Sequence, residues 1–134
     1  MHKFIYIPLI VLIALMLRRL CVKNMSTYIS GTHSIAYVTV PSQDVAKNIA
    51  KNLVKEKLAA CVNIIPNITS IYSWKDNIEE DSELLMMIKT KTAKIAELTE
   101  FVKKNHPYEV CEVISVKIDN GNDAYLNWIN DNVN

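Results

Sequence analysis

Glycine is nearly missing from this sequence: 134 residues contain two, Gly31 and Gly121. A loop that cradles phosphate needs several glycines to bring its backbone close to the ligand, so nucleotide-binding loops of that type are excluded. Cysteine is sparse as well. Cys21, Cys61 and Cys111 lie far apart and form no Cys-x-x-Cys pair, which argues against a disulfide framework and a structural zinc site. Of the three histidines, His2 and His33 precede the main body of the sequence and only His106 falls within it. No serine–histidine–aspartate or cysteine–histidine set has a readable context, no paired carboxylates sit in a concave setting, and no cofactor fingerprint occurs. The expectation is a protein that is not an enzyme.

Charge of one sign is absent where it would matter for nucleic acid. The first 33 residues hold Lys3, Arg18, Arg19 and Lys23 and no acid, while the remainder sets 11 lysines against all 14 acids. A mildly acidic domain without a basic stripe is a poor partner for a polyanion. A long apolar run is also lacking. Residues 4–17 are apolar throughout (FIYIPLIVLIALML), short of the ~20 positions that a bilayer-spanning helix requires. Residues 1–24 therefore read as a leader, either the apolar core of a secretory signal or a short membrane anchor making contact through residues 4–17. No small-x-small cleavage site follows, and the basic cluster lies after the run, which favours a cytoplasmic domain behind a short anchor. A start at Met25 would instead give a cytoplasmic protein. Residues 25–33 read as a linker, and 34–134 as the folded domain.

That domain is organised around one ribbon. Cys61 to Trp74 is rich in Val, Ile, Thr, Tyr and Trp, and Ile78 to Thr90 returns after the polar reversal at Lys75-Asp76-Asn77. Pro66 cannot donate to a ladder, so it marks an edge or a bulge. Arms of this length span on the order of 40 Å, more than the remaining core has to cover. The overhang calls for a partner, and a second copy of the chain is the natural one. Before the ribbon, Ser34 to Val40 is a β-branched strand ended by Pro41. Ser42 then caps an amphipathic helix running to about Lys57, with Val45, Ala46, Ile49, Ala50, Leu53 and Val54 on its apolar face. After the ribbon, Thr92 is placed to cap a second helix that His106-Pro107 stops. Val110 to Ile118 alternates as a fourth strand, and Asn122 or Asp123 caps a short last helix. The order β-α-β-β-α-β plus a C-terminal helix predicts an α+β ferredoxin-like split fold, with two helices on one face of a four-stranded antiparallel sheet. The other face carries Tyr72, Trp74 and whichever of Met86 and Met87 points outward. A bare apolar face with long edges predicts an oligomer.

Four stretches, EKLAACVNIIPNITSIYSW, IEEDSELLMMIKT, HPYEV and DAYLNWI, resemble the CutA family of divalent-cation-tolerance proteins, and its eukaryotic branch most nearly. The resemblance covers about Ser34 to Val133. It implies a homotrimer assembled through the long hairpin strands and a role in metal tolerance, with copper the ion concerned. It also implies a copper site made from a first-strand cysteine, the histidine of the HPY motif and a downstream glutamate. These positions are Val38, His106 and Glu112 here, so the soft, anionic ligand is replaced by valine.

His106, Tyr108, Glu109 and Glu112 are the ionisable groups nearest a structural break. Imidazole with carboxylate suits Cu(II) or another divalent cation, and Cys111 is the neighbouring thiol. Against this stands a plain reading of His106-Pro107-Tyr108 as a rigid corner. In a strand, Cys111 and Glu112 point to opposite faces, and so do Met86 and Met87. Cys61 fits core packing. Glu79, Glu80, Asp81 and Glu83 fit a solvated strand end that discourages unwanted pairing. Three functions follow. The first is a trimer of copper homeostasis with weak or no intrinsic copper binding. The second is a scaffold that a leader brings to a membrane or the secretory pathway to meet another protein. The third is a small-ligand trimer resembling the PII signalling proteins in architecture, with clefts lined by Tyr72, Trp74, His106, Tyr108 and Trp128.

Overall fold

The computed structural model describes residues 9–11, 13 and 28–134. Its elements are β1 (His33–Val40), α1 (Gln43–Lys55), β2 (Cys61–Trp74), β3 (Asn77–Lys91), α2 (Ile95–Asn105), β4 (Ile114–Lys117) and α3 (Asp123–Asn132). The strands form one antiparallel sheet in the order β2-β3-β1-β4. This is the ferredoxin-like arrangement expected, with α+β organisation and a third helix at the C-terminal end. Apart from residues 9–11 and 13, which are helical and exposed, the leader lies outside the described residues.

Alternation in the strands builds the core. Ala36, Val38 and Val40 of β1 and Met86 and Ile88 of β3 face Ala46, Ile49 and Leu53 of α1 and Leu98 and Val102 of α2. Each large side chain buried there stabilises by about 1.5–3 kcal/mol. Met86 is thus the core methionine, and Met87 lies on the opposite face. Ser42 caps α1 by accepting from the Val45 amide at 3.3 Å, and Asn122 caps α3 through Ala124 at 3.0 Å. A second cluster joins Leu126, Ile129 and Val133 to Ala60, Ile118 and Tyr28.

The ribbon turns on two residues. Trp74 faces Asn77, and Lys75 and Asp76 both adopt left-handed backbone, with φ of 49° and 67°. Such a turn matches the twist of its strands. Between the pairs Ile65–Leu85 and Ile68–Glu83 the register slips by one residue, a bulge at Pro66-Asn67 with Asn67 at φ 61°. β2 is also the sheet edge, so proline is tolerated on both counts. β1 pairs only with Leu84–Lys91 of β3. The arm Ile68–Trp74 and its partner strand therefore run past the sheet by roughly 23 Å.

Three expectations are corrected. Part of the expected linker is packed: Tyr28 stacks on His33 at 5.5 Å, its hydroxyl donates to the Ile118 carbonyl, and the Gly31 amide donates to the same carbonyl at 2.9 Å. His33 is 3% exposed and opens β1. Thr92 does not cap α2; its hydroxyl donates to the Gly31 carbonyl at 2.6 Å, and a 3-10 turn, Thr92–Lys94, leads into the helix. The fourth strand begins at Ile114 rather than Val110, for a reason found at His106.

Candidate functional site

The face of the sheet away from α1 and α2 holds the chemistry. Beyond the bulge, alternation places Ser70, Tyr72 and Trp74 of β2 and Asp81 and Glu83 of β3 on that face. The segment 107–112 rises opposite them. Between the two walls is a cleft of about 660 Å³. Asp81, Glu83, Glu109 and Glu112 line it, together with the rings of Tyr72, Trp74 and Tyr108, and among the described residues no lysine or arginine does.

Two phenols tie down two carboxylates. The Tyr72 hydroxyl donates to Asp81 Oδ2 at 2.5 Å. That bond, ahead of burial and the Asp81 charge, pushes the Tyr72 phenol up to about 12. Burial raises the Tyr108 phenol, and the charge of Glu83 and a hydrogen bond to it act in the same direction. Glu83 is 5% exposed, and its Oε1 has no hydrogen-bond partner among the described residues. Lys75 sits 5.8 Å over the Trp74 ring at the hairpin tip.

His106 stands behind this wall, 8% exposed. The Tyr108 amide donates to its Nδ1 at 3.1 Å, so that nitrogen carries no proton. Nε2 must then hold the proton and donates to the Thr39 carbonyl at 2.8 Å. Thr39 shares its direction along β1 with His33, whose carbonyl accepts from Ile118 on the β4 side. The imidazole has therefore taken the ladder position that a longer β4 would use, which is why pairing stops at Tyr37–Ile114.

The remaining sequence-predicted residues separate. Cys111 packs against the core cluster, whereas Glu112 is exposed and lines the cleft. Val38 is wholly buried. Among the described residues no group of three or more His, Cys, Asp or Glu side chains is placed to hold a metal ion. His106, Glu112 and Cys111 as they stand do not make a donor set, since a metal at His106 must displace a backbone bond. Within one chain Trp128 stands apart from Tyr72, Trp74 and Tyr108 and stacks on Tyr125 along α3 at 5.5 Å. Cys61 meets Tyr125 instead. Asp81 and Glu83 were not among the expected site residues, although the two-residue turn and the bulge together put them across from Tyr72 and Trp74.

Residues 34–132 match the model of a family described as CutA1 divalent ion tolerance protein. The chain belongs to the CutA family. The match runs from β1 through α3 and includes both walls of the cleft. A CutA homolog of Xenopus laevis is 60% identical over 105 residues, 78% of this chain and 70% of that protein. The CutA protein of Mus musculus is 57% identical over 104 residues; this chain spans 59% of its length. The solved structure of the divalent cation tolerance protein of Thermus thermophilus superposes with a TM-score of 0.75 at 48% identity, covering 76% of this chain and 99% of the bacterial one. The CutA fold is thus shared with a protein that has little beyond this domain.

Proposed function

We propose that the protein is a non-enzymatic homotrimer acting in divalent-cation tolerance, copper foremost, with weak or no intrinsic copper binding. The observation that carries this reading is the engagement of both His106 nitrogens by backbone, next to a valine where the family pattern has cysteine. A tight Cu(II) site wants a free imidazole lone pair and a soft anion; neither is presented. The same geometry speaks against His106 as a general base. The trimer is supported by the overhanging ribbon, whose Ile71 and Ile78 are 68% and 75% exposed, and by the open apolar face around Ile114 and Val116. Calorimetric Cu(II) titration of the chain, beside His106→Ala and Glu112→Ala, tests the metal clause. Saturable binding abolished in both variants would overturn it. Light scattering should give three times the 15.3 kDa chain mass, and a monomer would sink the assembly clause. Residues 4–17 are proposed to bring the domain to a membrane or the secretory pathway, which fractionation with and without residues 1–24 checks.

The cleft favours a second reading, a small-ligand binding protein. A concave volume with aromatic walls and a few convergent polar groups is what such sites share.

A further inference from the structure

The chain just before β1 is a short strap that ends at a buried histidine. Residues 28–32 lie against the end of the sheet. The Gly31 amide and the Tyr28 hydroxyl donate to the Ile118 carbonyl at 2.9 and 3.2 Å, and the Thr92 amide donates to the Thr32 carbonyl at 2.9 Å. Ser30 adds a bond to Asp119. His33 stands where the strap becomes a strand. Its ring lies within 12° of parallel to that of Tyr28, with 5.5 Å between centres, and its amide donates to the Tyr28 hydroxyl oxygen at 3.2 Å. Neither ring nitrogen has a hydrogen-bond partner among the described residues, and both are sealed from solvent. That seal forms within one chain, so further copies packing on the open sheet face add burial without reaching the imidazole.

Such a ring is stable in place only while neutral. Burial, and next the charge of Lys91, its partner across β3, hold it below its ordinary value. Lys117 lies beside Gly31 as a further cation. The acids nearby are Asp123 of α3, which lines with His33 a cavity of about 190 Å³, and Asp119, which accepts from Ser30. A buried imidazolium without an acceptor is costly, whereas the same ring in water is not. Ile29, Ser30 and Thr32 bury little of themselves in this chain, and segments of that kind open at free energies well below the global one. β1 is held more firmly, with Ala36, Val38 and Val40 wholly buried and neighbouring strands on both sides. We propose that His33 is an acid-released catch: on taking a proton it lets residues 28–32 leave the sheet while β1 to β4 stay folded. The freed strap gives residues 1–27 about 17 Å more reach from the domain.

The test is amide hydrogen exchange on the full chain, read by mass spectrometry from about pH 7.5 to 5.5 and corrected for the intrinsic rate at each pH. With the strap open, His33 titrates near its ordinary value of about 6.5. The open form therefore takes the proton first, and acidification over this range raises its population about tenfold. Expected is a loss of about tenfold in protection at the Gly31 and Thr92 amides, which at each pH exchange at least ~10-fold faster than residues 35–40. His33→Phe keeps a ring against Tyr28 and should remove the pH dependence. Lys91→Met keeps the histidine and should move the loss to higher pH, which decides the matter if the phenylalanine variant does not fold. Protection that is constant with pH, or that falls equally in His33→Phe, overturns the proposal. A rise in protection on acidification, the result of Asp123 capturing the imidazolium, overturns it too. So does one common exchange rate for strap and strand, because His33 would then titrate only through global unfolding.

Discussion

Replacing His106 by alanine in metal-free buffer is expected to destabilise the domain by about 2–4 kcal/mol. The imidazole holds the Thr39 carbonyl at 2.8 Å and the Tyr108 amide at 3.1 Å. Alanine leaves both without a partner, and each such group costs about 1–3 kcal/mol when kept from water. The edge contact with the Tyr108 ring at 4.9 Å adds about 0.5–1.5 kcal/mol. Water entering from the Glu112 side recovers part of the sum, because Tyr108 itself is half-exposed. For a domain of this size the loss corresponds to a fall in Tm of roughly 10–20 °C. Urea unfolding with EDTA present, at equal protein concentration for variant and parent, reads it directly. A difference below about 0.5 kcal/mol, or one that emerges only when copper is added, would refute the backbone role and return His106 to the metal.

Three further outcomes follow from the geometry. Burial, and next the Lys91 charge, hold His33 below its ordinary value; Asp123 lines the same small pocket without reversing that direction. The unfolded chain therefore takes up the proton first, so stability is full above about pH 6.5 and is lost as pH falls towards the depressed value. Thermal melts from pH 7.5 to 5.5 should show this slope, and His33→Phe, which keeps the stack on Tyr28, should flatten it. Asp76 sits at φ 67°, so Asp76→Gly relieves left-handed strain and should raise stability by up to about 1 kcal/mol; a lowered urea midpoint would contradict the turn assignment. Gly31 has φ +81°, and a Cβ there meets Lys117 Cδ at 3.2 Å. Gly31→Ala should cost about 1–2 kcal/mol, whereas a free linker at this position would show no change in Tm.

What was legible in the sequence was local. The β-branched run from Cys61, the turn at Lys75 and the bulge at Pro66 each follow from a few neighbouring residues, and so does the Ser42 cap. The order of these elements then set the topology, and the CutA resemblance added the trimer. What was hidden depended on contacts distant in sequence. The alternation of Val110 to Val113 reads as strand, but the ladder position opposite Glu112 is occupied by His106, 67 residues from Thr39. Thr92 has a capping residue's identity, yet its hydroxyl is drawn to Gly31. The Tyr28–His33 segment has a linker's composition and is held by Ile118. Asp81 and Glu83 belong with Tyr72 and Trp74 only once the one-residue slip at the bulge is counted, and without it their side of the ribbon is ambiguous.

The bond from His106 to Thr39 also sets the mechanics of the cleft. Segment 107–112 is anchored to β1 in the middle of the sheet, so that wall is a fixed jaw. The facing wall is the end of a lever whose fulcrum is the bulge at Pro66-Asn67. Over an arm of roughly 23 Å, a bend of about 5° at the fulcrum moves Trp74 by about 2 Å. A bend at that point would change the width of the cleft by flexing one ribbon, without displacing the core. Whatever grips the hairpin tip in an assembly sets the width of the cleft from a distance.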